Sequence, residues 1–151
     1  MLAIIRPGSW NILLLIHVAG AMALVAVLIL STFAVRKAAA SGDQPSTRFA
    51  FRTLLMGALP AFIVMRVGAQ LIQDKEHVSD KLTWLNIGFI ASDLGMLLLI
   101  VTLVLTGLAA RKAKGGTTVA GSVGLRAASV LTTVLVAAYV VAIFAMTAKP
   151  D

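Results

Sequence analysis

Two residues carry full charge inside long apolar runs: Arg66 in AFIVMRVGAQLI and Asp93 in IGFIASDLGMLLLIV. A charge near the centre of a membrane helix costs about 2.5–3.5 kcal/mol on insertion scales, so such residues face a partner or a cavity rather than lipid. Opposite signs on separate segments suit an ion pair. Two roles follow from that chemistry: a clasp that sets the register of two helices, or a proton or solute site opening to one side of the membrane. His17 and Tyr139, also within apolar runs, supply hydrogen-bonding groups beside them.

The rest of the chemically able inventory is short. With no cysteine, disulfides and thiolate metal sites are excluded. A bis-histidine haem b needs two imidazoles at one depth, whereas the second histidine, His77, falls in the polar stretch QDKEHVSDK, so neither haem b nor any other cofactor is expected. Asp74, Glu76 and Asp80 alternate with Lys75 and Lys81 and read as a solvated face, not a metal cage. No Ser-His-Asp, phosphate-cradling or zinc spacing accompanies them, and an enzyme is not expected.

The elements that position these groups are membrane spans. The chain has 151 residues, 60% of them hydrophobic and 13% charged, with a mean hydropathy of +0.99. A span needs about 20 apolar residues. Four stretches qualify, roughly 10–35, 50–73, 82–109 and 122–147, leaving loops at 36–49 and 110–121. The sequence thus predicts an all-α, integral membrane four-helix bundle, one transmembrane domain over 1–151. The segment AAASGDQPST between spans one and two is expected to be a mobile spacer.

The net charge of +7 is explained by its distribution rather than by nucleic acid. Arg36, Lys37, Arg48 and Arg52 follow span one; Arg111, Lys112, Lys114 and Arg126 follow span three; Asp43 is the one acid among them. On the other side Arg6, Lys75, Lys81 and Lys149 are balanced by Asp74, Glu76, Asp80 and Asp151. The positive-inside rule places both basic loops in the cytoplasm and both termini outside a cell membrane. Arg36-Lys37 closes span one as a stop-transfer segment does, so that span is expected to be retained rather than cleaved.

At a rise of about 1.5 Å per residue, His17 and Arg66 fall about 10 Å below the outer surface, Tyr139 about 12 Å and Asp93 about 15 Å. Arg66, Gln70 and Gln73 share one helix face, as do Asn86 with Asp93 and Thr132 with Tyr139. The expected site is therefore a polar cluster of His17, Arg66, Gln70, Asn86, Asp93 and Tyr139 facing a common bundle interior. Pro60 removes the donor to the Met56 carbonyl and is expected to kink span two. Gly57/Ala61, Gly88/Ser92/Gly95 and Ala120/Gly124/Ala128 are small-residue stripes where helices approach closely.

The segments LLLIHVAGAMALV, MRVGAQLIQDKE and WLNIGFIASDLGMLLLIVTLVLTGLAARK resemble small actinobacterial-type four-helix membrane proteins of unknown function and are similar to the copper-resistance-D-like group. In that group the first helix bears a histidine followed by glycine and other small residues. The resemblance covers nearly the whole chain and implies a bundle associated with copper or haem handling, with His17 as the position carried over. This chain has neither the additional intramembrane histidines nor the methionine-rich outer motifs of such chemistry. Packing stripes outnumber reactive groups, so the expected role is a non-enzymatic accessory or scaffold subunit, in a larger membrane complex or a homo-oligomer. A proton or small-solute pathway through Arg66 and Asp93 is the alternative, and a haem- or quinone-binding redox protein the third.

Overall fold

A computed structural model describes the backbone of residues 8–76 and 83–148. The side chains of Trp10, Trp84 and Asn86, although on helices, lie outside the described residues, as do Arg6, His77, Lys81 and Lys149 altogether. The apolar runs fold as helices because a span must satisfy every backbone polar group within itself. In chain order they are α1 (Gly8–Ser41), α2 (Gln44–Thr53), a π turn (Leu54–Ala58), α3 (Leu59–Glu76), α4 (Thr83–Lys114) and α5 (Val123–Ala148). Since α2, the π turn and α3 form one rod, four helices are long and apolar enough to cross a membrane.

The helices outrun the expected spans, and the predicted loops shrink. α1 has 34 residues, about 51 Å at 1.5 Å per residue, against a hydrocarbon core of about 30 Å. The supposed spacer AAASGDQPST is helical on both sides of a two-residue break at Gly42-Asp43. The reason is local capping. Gly42 adopts φ +64°, the left-handed conformation that ends a helix, and returns its amide to the Ala38 carbonyl at 2.9 Å. Asp43 then caps α2, accepting from the Ser46 amide at 2.7 Å, with Pro45 in the first turn. The Ser41 hydroxyl, followed by the Ser46 amide, holds the Asp43 carboxyl below its ordinary pKa. The stabilising effect of this cap is thus complete above the ordinary carboxylate value and is lost as pH falls through the lowered one.

The second loop is likewise shorter than 110–121 at its start, because α4 continues to Lys114. It folds back over the first: the Gly121 amide donates to the Ala39 carbonyl at 2.7 Å and the Val119 amide to Gly42 at 3.3 Å. A side chain at Gly42 would collide with the Ala120 backbone. This clasp defines the basic end of the bundle, and the start of α1 and the end of α5 lie toward the opposite, terminal end.

Packing explains where a site can form. α1 touches every other rod except α4 extensively, α4 packs along α5, and α2 packs against α4. α3 and α4 barely meet. The change occurs at the π turn, where the Leu59 amide donates five residues back to Leu54 rather than four. Pro60 stands just beyond it, with no amide for the Met56 carbonyl and a ring that crowds the preceding turn. Before this turn the second rod packs on both α1 and α4; after it the rod keeps α1 but all but leaves α4, and a cleft opens between α3 and α4 toward the terminal end. The core is built on Leu24, Leu28, Val35, Leu54, Leu125 and Leu135. Buried Thr102 and Thr106 return their hydroxyls to carbonyls one turn back, at 2.7 and 2.8 Å, so they enter the core satisfied.

Candidate functional site at the mouth of the cleft

The site starts from the closeness of α1 and α3. A Cβ at Gly20 would stand 2.8 Å from the Met65 nitrogen, and one at Gly68 would stand 3.0 Å from the His17 Cα, so the two backbones touch. At that distance the His17 ring reaches across, and Nδ1 donates to the Met65 carbonyl at 2.9 Å. Donation to a carbonyl requires the proton on Nδ1. His17 is thereby an interhelical clip.

Arg66, the next residue, is rotated about 100° around α3 and faces the cleft. Its Nη2 lies 2.8 Å from Asp93 Oδ1, and its Cζ sits 5.1 Å from the centre of the Phe89 ring. Phe89 and Asp93 are one turn apart on α4, so the guanidinium gains an ion pair and a cation–π contact from one helix face. Arg66 is thus a bridge across the α3/α4 cleft. The pair is not enclosed: the Arg66 side chain is 31% exposed and that of Asp93 69%.

Tyr139 occupies a third place. It is buried on α5 against Gly95 of α4, where any larger residue would strike its ring. Among the described residues its Oη has no hydrogen-bond partner, and neither does the buried Ser92 Oγ, one turn before Gly95 on α4. Gln70 is exposed and donates to Asp74 of its own helix at 3.3 Å. Asn86, the remaining predicted member, has its side chain outside the described residues.

Of the expected interior cluster, the structure pairs Arg66 with Asp93 across α3/α4, sets His17 at the α1/α3 seam, and buries Tyr139 at the α4/α5 seam within electrostatic reach of Arg66. Asp93 and Gln70 point outward rather than inward, because α3 and α4 diverge where a closed bundle would have enclosed them. Phe89 and the Met65 carbonyl were missed by the sequence reading, and Ser92 was read as a packing residue alone. Phe89 carried a signal, standing four residues before Asp93 on the same face.

As chemistry, the arrangement offers a charged clasp with an accessible carboxylate and two unsatisfied buried hydroxyls nearby on α4 and α5. Among the described residues no three His, Cys, Asp or Glu converge as metal ligands. His77 lies outside them. Comparison of the chain with protein-family models, with curated proteins and with solved structures finds no match in any of the three.

Proposed function

We propose that this chain is a non-enzymatic membrane subunit that works by association, and that the outward face of α4 around Asp93 seats a helix of a partner membrane protein. The observation that carries the reading is the exposure of Asp93, 69% of whose side chain stands open although it lies within a span. Arg66 offsets its charge without covering it. Exposure of a carboxylate to acyl chains is costly, so a neighbour supplying a donor is the economical solution. On the same side Ile90, Leu94, Leu97 and Val101 are exposed at alternating spacings of four and three, the seam that a second helix packs into. The bias of basic residues places the termini outside and the basic end in the cytoplasm of a cell membrane.

The absence of cysteine makes the test clean. A cysteine replacing exposed Leu97, treated with a thiol crosslinker in native membranes, is expected to capture one discrete membrane partner, with the yield falling when Asp93→Asn is added. Native mass spectrometry from mild detergent would sink this reading by returning the chain alone, with crosslinking indifferent to Asp93.

A second reading has its own support. Unpartnered Ser92 and Tyr139 hydroxyls are buried beside the cleft, and polar atoms of that kind call for water or a polar solute. A proton or small-solute pathway through the layer predicts flux in proteoliposomes that is lost with Asp93→Asn. Flux unchanged by that substitution removes it.

A further inference from the structure

At the basic end, remote from the cleft, α2 and α4 leave an open trough of about 580 Å³. Its walls are apolar, with Phe51 and Leu55 on one side and Ile100, Leu103, Val104 and Leu108 on the other. Gly107 forms the floor. A Cβ there would stand 3.1 Å from the Phe51 ring, so glycine lets that ring lie back and keeps the trough deep. The rim is different in kind: Arg48 from α2 faces Arg111 and Lys114 from the last turn of α4, and Gln44 completes it.

These three cations are exposed, and among the described residues none takes part in a hydrogen bond or ion pair. Asp43, the nearest acid in sequence, is committed to capping α2. Uncompensated positive charge lining one trough suits an anion, and the apolar walls of the same trough suit a hydrocarbon chain. A soluble anion would use only the rim. Leu55, Ile100, Val104 and Leu108 along it are exposed, so a bilayer would meet them.

We infer that the α2/α4 trough is a specific site for one anionic phospholipid of the leaflet at the basic end. Its phosphate is held by Arg48, Arg111 and Lys114, and one acyl chain lies along Phe51, Leu55, Ile100 and Val104. Basic pockets between membrane helices take anionic headgroups in this way, and the shaped apolar floor distinguishes this site from the diffuse attraction of any basic loop.

The test uses the whole chain in nanodiscs of phosphatidylglycerol or phosphatidylcholine, with retained lipid counted by native mass spectrometry. One phosphatidylglycerol is expected to survive release where phosphatidylcholine does not. Arg111→Gln with Lys114→Gln should lower that retention roughly tenfold. Lys37→Gln with Lys112→Gln, an equal charge change at the same end but off the trough, should leave it unchanged. Val104→Trp, which fills the trough and spares the cations, should also lower it; Leu108→Trp serves if the first variant does not fold. Equal losses from both charge pairs would reduce the site to general surface attraction and overturn the proposal. So would retention indifferent to both tryptophans, or displacement of the lipid by millimolar inorganic phosphate.

Discussion

Arg66 has two attachments on α4, the Asp93 carboxylate at 2.8 Å and the Phe89 ring, and they differ in what they lose on mutation. Arg66→Ala removes both and leaves an exposed carboxylate unpaired within a span, whereas Asp93→Ala leaves the guanidinium on its ring, free to reach polar surroundings with its long stem. Unfolding measured in detergent should therefore show Arg66→Ala as the more damaging single change. The double variant should fall short of the sum by about 0.5–1 kcal/mol, the range for a partly exposed pair. Strict additivity would mean that the two residues do not interact. That they meet was legible in sequence, because helical rise converts position into depth and their depths nearly agreed. Their outward orientation was not, since it depends on which rods are neighbours around the ring. Tyr139 does enter the interior, against Gly95, whereas His17 is taken up by the Met65 carbonyl at the α1/α3 seam, a partner that the spacing of side chains alone could not name.

The helices carry a second lesson, in how small residues divide between close approach and mere tolerance. Gly20 and Gly124 look alike in sequence, each in an apolar helix. A Cβ at Gly20 meets the Met65 backbone at 2.8 Å, which cannot yield, while one at Gly124 meets only the flexible Leu105 Cδ2 at 3.8 Å. Gly20→Ala should cost about 1–3 kcal/mol by forcing α1 and α3 apart, stretching the His17 to Met65 hydrogen bond with them. Gly124→Ala should be neutral or slightly stabilising, because alanine is the better helix former. Thermal unfolding of the two variants side by side decides it, and equal losses would refute the close α1/α3 contact. Span number was readable from apolar run length. Span ends were not: the apolar signal stops near Val35, but α1 continues to Ser41 on alanine propensity and tertiary burial, with Ala38 fully buried.

For the molecule as a whole, the charges and the packing bear on one question, which end faces the cytoplasm. The basic end gathers Arg36, Lys37, Arg48, Arg52, Arg111, Lys112, Lys114 and Arg126 with Asp43 alone in opposition. Some of these also serve the structure, as Arg36 does by donating to Thr133 on α5 at 3.3 Å, but most are exposed and unpaired. Basic residues in short loops near span ends resist translocation, so the basic end should remain inside and the terminal end cross. A cysteine-free chain permits a direct reading. A cysteine in place of the exposed turn residue Thr117 should react with a membrane-impermeant maleimide only after the cells are opened, and one replacing exposed Asp74 near the other end should react in intact cells. The reverse pattern would invert the topology and move the α2/α4 trough to the outer leaflet. It would leave the Arg66 and Asp93 contact untouched, because that pairing depends on the packing of the rods and not on which side of the membrane they enter from.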